Sequence, residues 1–463
     1  MAQLRRPHDP RPDRSAATGS GPRILVVAGN TFQNKGDAAL MLALDAELRR
    51  TLPDARVTIS LRAPARARAA LPHRTLVGQP ISAASAPFAR LARLAIRFDG
   101  RLVPAVAVAQ AMALVAWLGI WSRIDRRAPR VAARLLPGPL RRLALLVRES
   151  DVVVAAPGGY ILTTEPRDVG WTYASAPLMA ARALGVPVIL APMTIGPIPR
   201  VQRPAARLAF ADARLVLLRE ARSLPWALRC GVPRDRVEIT ADMAWLAPPA
   251  DEDLPAAVTE ALAPRDGTGP LVGVAVRDFR FPRAADRGAA REAYLSAVAT
   301  ALDRLVERRA IRPVFLAQVL APPVTDAAIA HEVARRMRHP PVVLEDDLSP
   351  AQLHRAYGRL DLLIGVRMHA GILAMAAGTP FVGIAYGIKH AGIMEDLGLV
   401  RYLADIDRLD PDWLVHAVES ALDERPAIGA ILDARLPELR ARIRAGDDRL
   451  ADLVRAAAAP STD

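Results

Sequence analysis

The sequence predicts an α/β protein of two Rossmann-like, doubly wound domains that face each other across a cleft. Short apolar runs alternate with helical stretches, which is the pattern of a parallel sheet with helices on both faces. The alternation stops at 248–270, where Pro248, Pro249, several acids, Gly267 and Gly269 interrupt it, and then it restarts. The length of 463 residues also exceeds what a single hydrophobic core usually organises.

Taken in order, residues 1–22 are polar, rich in Pro and Arg, and lack the apolar centre of a secretory signal, so they read as a disordered tail. The first domain, 23–247, carries strands at 23–28, 56–60, 151–155, 187–191, 214–218 and 237–240. Helices at 37–50, 171–184 and 220–230 separate them. The segment 248–270 is a linker. The second domain, 271–425, carries strands at 271–276, 313–317, 342–344, 360–365 and 380–385, with helices at 291–309, 326–338, 369–377 and 388–397. A C-terminal helix and tail, 426–463, closes the chain, and its helical part at 434–457 is expected to pack back across the first domain. No internal repeat is visible.

Hydrophobic residues make up 52% and charged residues 24%, a globular composition. There are 62 Lys and Arg against 48 Asp and Glu, a net charge of +14 that favours an anionic partner. No basic stretch is interleaved with aromatics, and no zinc-finger, RRM or helix-turn-helix pattern occurs, so nucleic acid is not the expected partner. The single cysteine, Cys230, allows no internal disulfide; it reads as a small core residue in a cytoplasmic protein.

One segment stands apart. Residues 102–121 are twenty consecutive positions without a charge, long enough as a helix to cross about 30 Å. A basic amphipathic stretch, 88–101, precedes it, and Arg123, Arg126, Arg127 and Arg130 follow. Three readings stand side by side: a buried or dimer-interface helix in a homo-oligomer, a hairpin that docks on a membrane surface through 88–121, and a true span. A span would place the two halves of the first domain on opposite sides of the membrane.

The chemistry is expected at the carboxyl ends of the strands, where open α/β sheets bind ligands. After the first strand comes Gly29-Asn30, followed by Asn34, Lys35, Gly36 and Asp37 at the start of a helix. Small residues there let the backbone approach a ligand, and the helix N-terminus offers N–H groups to an anion. The loop is neither a Walker A loop nor a dinucleotide fingerprint. Asp37 reads either as a first-turn acid or as a carboxylate facing the cleft. Gly158 and Gly159 follow the next strand, where adjacent glycines imply a sharp turn or close backbone approach. Thr194 and Gly196 repeat the placement, and Arg219 and Glu220 follow the strand after that.

The sharpest site is Gly365-Val366-Arg367-Met368-His369-Ala370-Gly371. An apolar strand ends at Gly365, and a helix of small residues begins near His369. An arginine beside a histidine at a helix N-terminus suits a small dianion whose bound group exchanges a proton. Nothing in the sequence has the His, Cys or carboxylate spacing of a metal site.

Together, in order, the elements GN…NKGDA, PGG, TIGP, RExxS, AD, GxRMH and YGIK resemble those of the polysaccharide pyruvyl transferase family, over about 23–399. The resemblance implies a glycosyltransferase-B-like fold. It also implies transfer of a pyruvyl group from phosphoenolpyruvate to a sugar of a cell-surface or exported polysaccharide or glycolipid, usually as a cyclic ketal. By the same resemblance Arg219 contacts the donor. Arg367, Met368 and His369 correspond to an Arg-Leu-His triplet in which the arginine grips the donor and the histidine moves the proton. Lys389 matches a YDxK element near the cleft. Asn34, Gly36 and Asp37 match an NxGD element in which Asp37 touches the acceptor. Three positions depart from the pattern: Ala38 replaces an acid, Tyr160 a third glycine, and Gly387 an aspartate. The implied partners are phosphoenolpyruvate and a saccharide or lipid-linked saccharide at the inner face of the cell membrane, with no cofactor.

Two other readings compete. A nucleotide-sugar glycosyltransferase of the same architecture would usually place a ribose-binding Glu on the helix before Gly378-Thr379-Pro380, and 370–377 has no carboxylate. A membrane-associated binding protein that has lost activity would account for the changed positions, yet Arg219, Arg367 and His369 are intact.

Overall fold

The protein is described by a computed structural model covering residues 21–27, 31–80, 101–163, 168–246, 252–264, 269–320 and 325–459. The expected tail up to residue 20, Gly29 and Asn30, the basic stretch at 88–100, Pro248 and Pro249, Gly267 and the last four residues lie outside the described residues.

Two parallel sheets form the frame. The first contains β1 (Arg23–Val27), β2 (Arg56–Leu61), β3 (Thr75–Gly78), β4 (Val152–Ala155), β5 (Gly158–Ile161), β6 (Val188–Ile195), β7 (Leu215–Leu218) and β8 (Val237–Ile239). Its order is β3-β2-β1-β4-β6-β7-β8, with β5 on β6. The second contains β9 (Leu271–Ala275), β10 (Arg312–Leu316), β11 (Val342–Leu344), β12 (Leu362–Gly365), β13 (Phe381–Ala385) and β14 (Leu403–Asp405), in the order β11-β10-β9-β12-β13-β14. The order in which successive strands are added reverses between β1 and β4, and again between β9 and β12. Crevices open at such switch points.

Both faces of each sheet are covered, so the strands read as unbroken apolar runs rather than alternating ones. In β1, Ile24 and Val26 face a core continuous with the second domain, while Leu25 and Val27 face a separate core on the other side. Three strands escape the sequence reading because they are short. β3 and β14 are partly exposed edge strands, and β5 was expected to be a turn. The expected helix at 171–184 is two helices, Gly170–Ala174 and Ala176–Leu184, because Pro177 starts a new one. That at 220–230 is a 3₁₀ turn, Ala221–Ser223, followed by Leu224–Arg229. The linker region itself contains a helix, Ala256–Ala261, pinned by buried Val258.

We number the helices used below α1 (Lys35–Thr51), α2 (Val103–Arg127), α3 (Asp326–Ala334), α4 (Met368–Ala376), α5 (Ile388–Leu397) and α6 (Arg425–Ala458). Helix α6 begins well before the expected 434 and crosses back to the first domain. There Arg440 Nε donates to the Trp245 carbonyl at 3.0 Å and Arg455 Nη2 to that of Thr51 at 2.6 Å. Helix α2 is half-buried: Ala111, Leu118 and Trp121 belong to the first domain's outer core, Ala107 is buried as well, and Trp121 Nε1 donates to the Ala132 carbonyl at 2.9 Å. Cys230 is buried.

Candidate active site at the interdomain cleft

The two domains meet at the loop entering α1. Asn34 pairs in an antiparallel bridge with Val319 of the second domain. Lys35 N–H donates to the Gln318 carbonyl at 3.1 Å, Leu320 N–H donates to that of Gln33 at 3.2 Å, and the Lys35 ammonium pairs with Asp347. The Asn34 side chain caps the helix, accepting from Gly36 N–H at 3.2 Å. This clamp lays Gly36 flat against His369. A β-carbon on Gly36 would lie 2.1 Å from His369 Nδ1, so that position has room only for hydrogen.

Arg219 follows β7, and its side chain is wholly enclosed. Nε donates to Thr194 Oγ1 at 2.8 Å, and Nη1 donates to Asp242 Oδ2 at 2.7 Å and lies 3.4 Å from His369 Nε2. Among the described residues Nη2 has no hydrogen-bond partner, and it sits beneath Gly159, where a β-carbon would approach it to 2.8 Å. Gly158 has φ +149°, a conformation only glycine adopts easily, so Gly158 is required by its backbone and Gly159 by the arginine beneath it.

Asp242 lies between the two domains' cations, 2.7 Å from Arg219 Nη1 and 3.7 Å from His369 Nε2, and its other oxygen accepts from Ala244 N–H at 2.9 Å. Burial alone would raise its pKa. The Arg219 and His369 charges outweigh that and hold the carboxyl well below its usual range. Buried Glu220 accepts from Thr194 Oγ1 at 3.0 Å and from the Ser223 hydroxyl; Ser223 Oγ in turn accepts Ile195 N–H at 3.0 Å. The RExxS spacing therefore builds a buried brace for Arg219.

Around this centre, Asp37 lies within electrostatic reach of His369, Lys389, Arg219 and Arg367 together; burial raises its carboxyl pKa and those four charges pull it back. Arg367 is not a free guanidinium. It forms a fork with Asp326 at the start of α3, Nε to Oδ2 at 3.1 Å and Nη2 to Oδ1 at 2.5 Å, leaving Nη1 outside that pair. Asp326 is fixed in turn by Gln318 and Val319 N–H groups, at 3.2 and 2.9 Å. Lys389 Nζ lies 5.0 Å from the centre of the Tyr386 ring, and the Arg277 guanidinium 4.5 Å from it. Burial alone would raise the Tyr386 phenol. Lys389 and Arg277 outweigh it and bring the phenol down to about 7.

The structure thus gathers Gly36, Asp37, Gly159, Arg219, Arg367, His369 and Lys389 at one cleft. Two of the expected substrate contacts do not reach its surface: Met368 is part of the second domain's core, and Thr194 is wholly buried as a support for Arg219. Asn34 serves as helix cap and domain clamp. Four participants were missed as site residues: Asp242, Asp326, Arg277 and Tyr386. Tyr386 directly follows a strand, and Arg277 and Asp242 come within three residues of one, so the strand-end rule could have found all three. Asp326 carries no such signal, because first-turn acids are common on helices.

Residues 34–388 match the family described as polysaccharide pyruvyl transferase. The amylovoran biosynthesis protein AmsJ of Erwinia amylovora is 21% identical over 413 residues, covering 87% of this chain and 92% of that one. Among solved structures, Anabaena HepE in complex with UDP-glucose is similar with a TM-score of 0.56 at 12% identity, over 94% of this chain and 100% of that one. The S. aureus MnaA–UDP structure gives 0.54 at 11%, over 90% and 91%. A UDP-GlcNAc 2-epimerase from Neisseria meningitidis gives 0.52 at 10%, over 93% and 99%. At these identities the structural likeness speaks for the fold alone, which is glycosyltransferase-B-like. The family match runs from the loop that clamps the domains to the helix bearing Lys389, and so takes in both walls of the cleft: this chain belongs to the polysaccharide pyruvyl transferase family.

Proposed function

We propose that the protein transfers a pyruvyl group from phosphoenolpyruvate to a sugar of a cell-surface or exported polysaccharide or glycolipid, closing it as a cyclic ketal. The observation that supports this most is the chain Arg219–Asp242–His369 across the domain boundary, with one guanidinium nitrogen left unpartnered beneath Gly159. An unpaired, enclosed N–H of a cation calls for an anion. Parting of the domains separates His369 from Arg219 and opens that nitrogen to the donor, with Arg367 Nη1 on the opposite wall.

His369 protonates the methylene carbon of the enol, leaving a cation at C2 next to the phosphate ester oxygen. A sugar hydroxyl attacks C2 and passes its proton to Asp37, whose raised pKa suits it to hold one. The C2–O bond to phosphate then breaks, phosphate leaving with the proton that Asp37 took up, and a second hydroxyl closes the ketal and returns its proton to His369. Donor and diol thereby become ketal and phosphate, with every proton accounted for. Asp242 keeps the imidazole aimed and offsets the buried charge of Arg219.

The test is phosphate release from phosphoenolpyruvate by the purified protein, with and without a saccharide extract. Acceptor-dependent release that disappears in His369→Ala is expected. Absence of release together with absence of phosphoenolpyruvate binding by calorimetry would overturn the donor assignment.

A further inference from the structure

Helix α2 has two unlike sides. One packs into the first domain through Ala111, Leu118 and Trp121, with Ala107 buried beside them in sequence. The other carries Leu102, Ala105, Ala109, Met112, Ala116 and Ile120, spaced three or four apart and hence aligned along one flank. All six are exposed, and the large ones decidedly so: Leu102 at 57%, Met112 at 56% and Ile120 at 55%. The strip runs about 27 Å at the helical rise. It continues into exposed Val131 and Leu135 on the next helix, Pro129–Leu135, among exposed Arg123, Arg127, Arg130 and Arg134. Between residues 101 and 142 the only acid is Asp125, and it is paired with Arg148.

We propose that this flank docks on an anionic lipid surface, lying in the interface rather than spanning it. An apolar strip of this length rimmed by arginines, with no carboxylate available, matches acyl chains below and acidic headgroups at the edge. A second copy is a poorer complement: whichever way two strips pair, Arg123, Arg127, Arg130 and Arg134 meet no unpaired acid from residues 101–142 of the other copy. A span would strip Ala111, Leu118 and Trp121 from their core. The surface also connects to the cleft. Tyr173, on the helix Gly170–Ala174 that follows β5, donates to Gln110 Oε1 of α2 at 2.9 Å, so docking holds β5 and its Gly159 at a set height above the bilayer. This inference concerns delivery of an acceptor and is independent of which donor the site uses.

The test is flotation of the full chain with vesicles of phosphatidylcholine containing about a quarter phosphatidylglycerol, against phosphatidylcholine alone. Binding to the anionic vesicles is expected to exceed that to neutral ones by about tenfold and to weaken with salt. Met112→Glu combined with Ile120→Glu should lose binding to both vesicle types, whereas Arg127→Glu combined with Arg130→Glu should lose only the anionic preference. Circular dichroism and melting curves confirm that each variant folds. Equal binding to the two vesicle types, no binding at all, or binding that survives both pairs of substitutions overturns the proposal. So does a dimer in light scattering that Met112→Glu with Ile120→Glu dissociates, or release from cell membranes by detergent but never by salt.

Discussion

Gly36→Ala isolates the contact between the two domains. The added carbon would stand 2.1 Å from His369 Nδ1, 2.5 Å from Cγ and 2.6 Å from its Cβ, where ordinary contact begins near 3.4 Å. The shortfall is about 1.3 Å. The ring has little freedom to retreat, because Arg219 Nη1 and Asp242 hold its far side at 3.4 and 3.7 Å. Gly36 cannot retreat either, since Asn34 and Lys35 beside it are bonded to the second domain. The strain is therefore relieved by prying the cleft open. Overpacking of this kind costs about 1–3 kcal/mol. A displacement of about 1 Å at the proton-transfer group lowers kcat about 100-fold. Phosphate release measured against phosphoenolpyruvate concentration should show that fall with a folded, slightly less stable protein. A Gly36→Ala enzyme with wild-type kcat would refute the reading that Gly36 seats His369.

Other outcomes follow from the same geometry. Asp242→Asn removes the charge that compensates enclosed Arg219, and chemical denaturation should show a loss of about 3 kcal/mol, with activity abolished. Because the folded Asp242 carboxyl is held below its unfolded value, its stabilisation is complete above about pH 4 and is lost as pH falls toward its folded pKa; the wild type should lose stability faster than Asp242→Asn on acidification. Asp447 of α6 has the opposite sign. Burial raises it well above its usual range, both oxygens lack partners, and Asp447→Asn should raise the melting temperature more at pH 8 than at pH 5. Arg367→Ala should cost several orders of magnitude in turnover, roughly 10³-fold, and Arg367→Lys should rescue little, because an ammonium cannot reproduce the fork with Asp326. The phenol of Tyr386 should titrate with a midpoint about 7 in difference absorbance, and that step should be missing from Tyr386→Phe.

Much of the architecture was legible before any coordinates. Two runs of alternating apolar strands and helices specify two parallel sheets, because period and burial are local properties of the chain. The residues that stand after the strands, among them Asp37, Gly159, Arg219 and Arg367, were legible for the same reason: a parallel sheet delivers all its carboxyl ends to one edge. The sequence by itself therefore determined the fold class and the sheet edge on which those residues stand. It did not determine partners. Only the tertiary structure shows that two nitrogens of Arg367 engage Asp326, that Thr194 links Arg219 to Glu220, and that Asp242 unites Arg219 with His369. Those pairings join residues 23 to 127 positions apart, and that of Asp242 with His369 crosses the domain boundary. Their formation depends on how two separately folded sheets are set against each other, and no local pattern records that setting. The same holds for α2: composition made it apolar all round, but which side is core and which is surface was decided by the sheet it packs on.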